Sequence, residues 1–366
     1  MFRRKLLALL GMSLVTAGMA AYAGIKDMQS KAKSTMLNHE DDAVKDEVQR
    51  IKRKKYENKV VPSRCGRLHV DGRQLVDQNG NPVQLKGISS HGLSWYPEFI
   101  NAECFRELHE EWNMNLIRLA MYTDEEGGYC AEDGDQEALK QVVRNGVKYA
   151  AENDMYVIVD WHILRDYDPN MNKEAAIAFF DQMSAEFASC NHVIYELCNE
   201  PNMDCTWEQI RAYAEEVIPV IRKNDPNAVI IVGTPKWSQK VDKAAANPIT
   251  IDNNLMYALH FYAGTHKEEL RSTMISAIIA GLPIFVTEYG ICDASGNGAL
   301  DYESAQAWVD TMNAYNISYA MWNLGNRDES SCIVKADCKK TSGFDAADLN
   351  DSGKWLFKTL TGEEMK

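Results

Sequence analysis

The chain has 366 residues, 45% of them hydrophobic and 9% aromatic, enough for one large domain with a filled core. Its 53 acidic side chains outweigh 39 basic ones, a formal net charge of −14. That surplus argues against nucleic acid and anionic lipid as partners and is compatible with a neutral polymer.

In chain order, Arg3, Arg4 and Lys5 precede an apolar run that ends in the small residues Ala21-Tyr22-Ala23. Residues 1–23 read as a secretory signal peptide cleaved before Gly24. The alternative is an uncleaved anchor that keeps the protein cell-associated, although the run falls short of ~20 clean apolar residues. Cleavage leaves 36 basic against 53 acidic groups, a net charge of −17, and no other segment able to span a membrane. Residues 24–60 are rich in charge and poor in apolar side chains, which predicts a solvated helix or linker. Next, "LHVDGRQLVDQNGNPVQLKGIS" carries two β-signals with tight-turn dipeptides at Asp71-Gly72 and Asn79-Gly80. It predicts a hairpin that plugs one end of the following domain.

Eight apolar, β-prone runs follow, at 83–88, 116–121, 156–161, 193–197, 229–232, 255–259, 283–287 and 317–322. Amphipathic stretches such as "LKQVVRNGVKYAAEN" and "WEQIRAYAEEVIPVIRKN" lie between them. This alternation predicts an α/β fold, a (β/α)8 TIM barrel with an N-terminal β-hairpin, over residues 61–362. An open doubly wound sheet is the alternative, but no GxGxxG follows a strand.

A barrel of this kind keeps its chemistry at the carboxyl ends of its strands. Here those ends read Ser89-Ser90-His91, Arg118 to Tyr122, Asp160-Trp161-His162, Asn199-Glu200, Thr234 to Trp237, His260-Phe261-Tyr262, Glu288-Tyr289 and Trp322-Asn323. One such polar or aromatic group is unremarkable, but eight converging ends are hard to assign to packing. Glu200 and Glu288 each follow an apolar run directly, on strands four and seven, and so face each other across the mouth. Two facing carboxyls among aromatic rings suit glycosidic bond cleavage: one protonates the leaving oxygen, the other attacks the anomeric carbon. Asn199 is placed to bond a sugar 2-hydroxyl, and Trp95, Trp237 and Trp322 offer flat faces to pyranose rings.

The motifs "LKGISSHGLSWY", "IRLAMYT", "VIVDWHIL", "IYELCNEPN", "VGTPKWSQ", "MYALHFYAGTH", "PIFVTEYGICDASGNG" and "WNLGNRDESS" resemble the family 5 glycoside hydrolases, in order and at matching spacing over about residues 64–360. The likeness is to secreted bacterial endo-β-1,4-glucanases of the Bacillus type. It implies a retaining endoglucanase without cofactor, with Glu200 as acid/base and Glu288 as nucleophile. Arg118, His162, Asn199, His260, Tyr262 and Trp322 match the family's active-site positions, and His91, Trp95 and Tyr122 match sugar contacts. Trp237, Arg327 and Glu329 complete the expected substrate-binding set. The expected partner is a β-glucan polysaccharide, acted on by a secreted monomer. β-Mannanase or xyloglucanase activity on the same fold is the alternative, and a non-catalytic sugar-binding barrel is a third reading. The chain departs from the family pattern at Tyr289, where Trp is common, at Arg327, where Lys is common, and at Cys198, where a small residue is usual. Those departures bear on subsite affinity.

Other readings are weaker. Asp160, His162 and His260 lack the close spacing of a metal motif. "DLNDSGKWLFKT" resembles the start of a calcium loop but has Thr359 at its twelfth position. The nine cysteines are odd in number and hold no CxxC; Cys332 with Cys338, and Cys198 with Cys205, are the pairs close enough to close short loops.

Overall fold

The computed structural model describes residues 60–366. The expected signal peptide, and all but the last residue of the charged segment 24–60, lie outside the described residues. No described helix is long and apolar enough to cross a membrane.

A short helix, α1 (Pro62–Cys65), leads into an antiparallel hairpin of β1 (His69–Asp71) and β2 (Gln74–Val76), turning after Asp71 as the sequence predicts. Eight parallel strands then close a barrel: β3 (Lys86–Ser90), β4 (Leu116–Tyr122), β5 (Tyr156–His162), β6 (Val193–Glu196), β7 (Ile230–Val232), β8 (Leu255–Tyr262), β9 (Ile284–Gly290) and β10 (Tyr319–Leu324). The outer helices are α2 (Ala102–Glu110), α3 (Gln136–Glu152), α4 (Lys173–Phe187), α5 (Trp207–Asn224), α6 (Val241–Ala246), α7 (Glu268–Ile279), α8 (Tyr302–Ala314) and α9 (Asp351–Thr361). The first barrel strand begins later than the apolar run at Val83 suggests. Val83 is held instead by the hairpin, its N–H donating to the Leu75 carbonyl.

Side chains alternate between two apolar layers. Val157, Val159 and Trp161 point outward from β5, where Trp161 meets Phe179 and Phe180 of α4 at ring separations of 5.4 and 6.3 Å. α4 presents these rings because Phe179, Phe180, Met183 and Phe187 repeat at helical spacing on one buried face. Inward, Leu116, Tyr156, Ile158, Ile194, Ile231, Met256, Ala258, Phe285 and Ala320 form a floor. Cys65, Leu68, Leu75, Val83 and Leu85, from the hairpin region, seal it from below. The predicted plug is therefore present, and each large side chain it buries contributes about 1.5–3 kcal/mol of transfer free energy.

The stretch from Asp348 does not form an ion-binding loop. Asn350 precedes α9, and Asp348 is taken by the Lys340 ammonium. Among the described residues all nine cysteines are free, so neither expected disulfide is formed. Cys332 and Cys338 instead turn their sulfurs to Asn323 and Asp348. Cys198 is fully buried against Gly233, where an added Cβ would collide with its carbonyl.

Candidate active site

One inward step above the floor, the same strands carry charge. Arg118 of β4 is fully buried and donates from Nε to Glu196 Oε2 (2.7 Å) and from Nη2 to Asn199 Oδ1 (2.6 Å). Its Nη2 also lies 3.0 Å from Asp160 Oδ2, and its Nη1 donates to Glu288 Oε2 (3.1 Å). Burial disfavours a charged Arg118, but the Asp160, Glu196 and Glu288 carboxylates hold its pKa above the ordinary value. Burial likewise opposes ionisation of Glu196, yet Arg118 and His260 bring its pKa down to about 2. Asp160 is driven the other way, upward, by burial. One of its oxygens has no hydrogen-bond partner among the described residues.

Glu288 reaches the interior through a break in register. Between Ala258↔Phe285 and His260↔Glu288, β9 spends three residues against two of β8, and it does the same against β10. The extra residue is a β-bulge, a device that re-aims side chains. It lets Thr287 and Glu288 both face inward, and it turns Tyr289 outward. Tyr289 is fully buried there, stacked on Phe261 at 5.2 Å and edge-on to Tyr319. A ring in that layer cannot touch a sugar, so the departure at Tyr289 has no direct bearing on subsite affinity.

The second oxygen of Glu288, Oε1, accepts from the Tyr262 hydroxyl at 2.8 Å. Burial and the nearby Glu288 raise the Tyr262 phenol well above its usual range, so it stays a donor. Tyr262 fits because Gly290 has no side chain: a Cβ there would overlap its ring. Glu200 Oε1 lies 3.0 Å from His260 Nδ1. Burial lowers the affinity of His260 for a proton, but contacts with Glu196 and Glu200 hold its pKa up at about 9. Oxygens of Glu200 and Glu288 and a nitrogen of His260 all lie within 4.8 Å of one another. The imidazole already contacts Glu200 through Nδ1 and the Thr287 hydroxyl through Nε2 (2.8 Å), which leaves no nitrogen for an ion.

These groups floor a cavity of about 670 Å³ whose wall includes His91, Tyr122, His162, Trp237, Trp322, Arg327 and Glu329. Trp322 stacks on His162 at 5.3 Å and lies 5.2 Å from His91, presenting a rim of rings. Burial, with Arg327 nearby, lowers His91 to about 3, so its imidazole is neutral. Its Nδ1 accepts the Gly92 N–H at 2.6 Å, and Nε2–H is the remaining donor. His162, pushed down by burial, directs Nδ1 at Asp160 (2.6 Å). Trp237 is 38% exposed on a turn where Lys236, Trp237 and Ser238 all have φ between 52° and 59°. That strained turn is latched to the loop after β6, because Trp237 N donates to Pro201 O and Ser238 Oγ to Asn199 O.

Three expected contact residues sit elsewhere. Trp95 lines an adjoining recess of about 380 Å³ with Tyr96, Glu125, Glu126, Arg165 and Arg327. Arg118 is a correction: it lies beneath the carboxylates, fully buried, and holds protein groups where a sugar contact was expected. Asn199 gives its oxygen to Arg118 and one amide hydrogen to the Ile163 carbonyl, which leaves a single N–H for a hydroxyl. Glu196 and Thr287 belong to the site without being among the residues expected from the sequence. Glu196 had a signal, a carboxylate two residues after Ile194 on the inward phase of an apolar strand. Thr287 had the same signal, two residues after the inward Phe285, but regular alternation cannot put it and Glu288 on one face; only the bulge does.

Comparison with known proteins agrees with this geometry. Residues 76–328 match the family model for cellulase (glycosyl hydrolase family 5). Endoglucanase A of Butyrivibrio fibrisolvens is 48% identical over 298 residues, 81% of this chain and 69% of that protein. An endoglucanase of Clostridium saccharobutylicum is 47% identical over 81% of this chain and 65% of its own length, so the chain spans about two thirds of these relatives. The catalytic domain of the Thermobifida fusca endoglucanase Cel5A, solved in complex with cellotetraose, superposes with a TM-score of 0.78 at 36% identity, covering 82% of this chain and 99% of that one. On these matches, the chain belongs to the cellulases of glycosyl hydrolase family 5.

Proposed function

We propose that the chain is a retaining endo-β-1,4-glucanase that cuts internal bonds of cellulose and related β-glucans. The observation that carries the mechanism is the approach of Glu200 and Glu288 oxygens to within 4.8 Å. Retaining glycosidases hold their carboxyls about 5–5.5 Å apart, whereas inverting enzymes leave ~6.5–9.5 Å for a water. Glu288, gripped through both oxygens by Arg118 and Tyr262, is the nucleophile. Its oxygen bonds the anomeric carbon as the glycosidic C–O bond breaks and Glu200 protonates the leaving oxygen. Glu200 then takes a proton from water, which attacks the same carbon and releases Glu288. His91, Tyr122, His162, Trp237 and Trp322 line the sugar path, and Trp95 extends it into the adjoining recess. The relatives named endoglucanase support the polymer class. The basic-then-apolar leader at residues 1–23 supports export, the engagement of both His260 nitrogens by protein groups supports action without metal, and the proposed state is a monomer.

The test follows viscosity and reducing ends together on carboxymethylcellulose, lichenan, mannan and xyloglucan, with and without EDTA. Viscosity should fall early on the glucans, with EDTA having no effect and the β-anomer forming first. Accumulation of glucose at constant viscosity, faster cleavage of mannan, or inhibition by EDTA would each overturn part of the proposal.

A further inference from the structure

Glu200 and Glu288 are joined through the protein as well as across the cavity. From Glu200 the path runs to His260 Nδ1 (3.0 Å), then from Nε2 to Thr287 Oγ1 (2.8 Å). Thr287 Oγ1 donates to Glu196 Oε1 at 2.7 Å, and Glu196 Oε2 accepts from Arg118, which holds Glu288. The direction of each bond follows from the number of hydrogens available. Glu196, ionised beside Arg118, only accepts. A threonine hydroxyl has one hydrogen, and Glu196 takes it. Thr287 therefore accepts from His260, and Nε2 must carry a hydrogen. That leaves Nδ1 as the one titrating nitrogen of His260, facing Glu200. A hydrogen bond between Glu200 Oε1 and His260 Nδ1 needs one proton, carried by either atom.

We infer that Thr287 and Glu196 are positioning residues for the acid/base step: together they fix the His260 tautomer and so keep a proton on the Glu200–His260 pair. The inference rests on the reading of Glu200 as acid/base. The charged groups facing His260 are Arg118 on β4, Asp160 on β5, Glu196 on β6, Glu200 just beyond it and Glu288 on β9. The negative members outnumber Arg118, so the field favours the proton, but only Thr287 converts it into a defined tautomer. Without its hydroxyl, the acceptor left near Nε2 is Glu196 Oε1 at 3.8 Å, beyond hydrogen-bond reach, and either nitrogen is free to carry the hydrogen. The pair then loses its proton at lower pH. The β9 bulge places the relay beside the nucleophile: Thr287 faces Glu196 on the inward phase set by Phe285, and the extra residue brings Glu288 inward as well.

The experiment compares Thr287→Val, which keeps shape and removes the hydroxyl, with Thr287→Ser, which restores it. Thr287→Val should move the alkaline limb of kcat/KM down by about one pH unit, the scale of one lost charge-assisted hydrogen bond, and leave the acid limb in place. It should cut kcat/KM about tenfold on an alkyl cellobioside, whose leaving group needs a proton, and have little effect on a dinitrophenyl cellobioside, which does not. Thr287→Ser should behave as the native enzyme, and a low-field Nε2–H proton resonance should be present in both and absent from Thr287→Val. If the valine variant does not fold, Thr287→Ala supplies the same readouts. An unmoved alkaline limb, or equal losses on the two substrates, overturns the inference. Glu200→Ala on the same substrates separates the two readings. If it discriminates between leaving groups and Thr287→Val does not, only the relay fails; if Glu200→Ala loses both activities equally, the acid/base assignment fails.

Discussion

The floor and the middle of the barrel are built by the same strands, two residues apart, and are opposite in chemistry. Leu116 gives way to Arg118, Ile158 to Asp160, Ile194 to Glu196, Ala258 to His260 and Phe285 to Thr287. Both layers are buried, so burial alone does not say which is functional. The floor gains from transfer of apolar surface and excludes water from below. The middle layer incurs desolvation, which buried ion pairs often fail to repay. What it gains is fixed direction: Arg118 holds Glu288 itself, together with Glu196, Asn199 and Asp160, and Glu196 and Asp160 in turn engage Thr287 and His162. A polar layer above an apolar seal is thus the part of the molecule where stability has been exchanged for geometry.

The sharpest way to break this comparison is to empty each layer in turn. Phe285→Ala should lose about 3–5 kcal/mol of stability in denaturant titrations while the folded fraction keeps near-native kcat/KM. Arg118→Leu should lose a similar amount, because three carboxylates are left uncompensated. It should also lower kcat roughly 10²- to 10³-fold through misplacement of Glu288. Equal specific activities for the two variants would show that the layers do not differ as described.

A smaller effect isolates one strut of the upper layer. Gly290→Ala should push the Tyr262 ring aside and remove its hydrogen bond to Glu288. The expected cost is roughly tenfold in kcat, with a minor change in melting temperature and no further loss when Tyr262→Phe is added. An additive loss in the double variant would place the glycine's role elsewhere.

The smallest effect is on stability with pH. His91 is held at about 3 and His162 well below the free value of 6.5, so the unfolded chain binds more protons in that interval. Stability from them is complete above 6.5 and declines as pH falls toward about 3. His260, raised to about 9, contributes fully below 6.5 and loses that contribution as pH rises through 9. The melting temperature should therefore peak near pH 6.5, and His260→Gln should flatten the alkaline side. An unchanged alkaline slope in that variant would remove His260 as its source.

Much of this was legible in the sequence. The eight apolar runs and the two turn dipeptides specify barrel and plug, because buried parallel strands and hairpins leave distinct patterns. The strand-end groups were legible too, since a strand fixes where its last residues emerge. Side-chain direction was not, wherever alternation breaks. In an unbroken strand Phe285, Thr287 and Tyr289 would share the inward face and Glu288 would point out. The extra residue in β9 exchanges Glu288 and Tyr289 between the two faces and leaves Phe285 and Thr287 inward, and no residue type in "PIFVTEYG" announces it. Cysteine pairing was equally hidden: spacing gave closeness along the chain, whereas Cys198 is directed at Gly233 and Cys332 at Asn323.

Which glutamate attacks decides the mechanism, and azide reports that directly. Glu200→Ala should still form the glycosyl intermediate from a dinitrophenyl cellobioside, then stall for want of a base to activate water. Azide needs no base, so it should restore turnover and give the β-glycosyl azide. Glu288→Ala should be nearly inactive on every substrate, with azide entering the vacated face to give the α-product. The α-azide from Glu200→Ala with the β-azide from Glu288→Ala would reverse the assignment and contradict the reading of Arg118 and Tyr262 as the grip on the nucleophile.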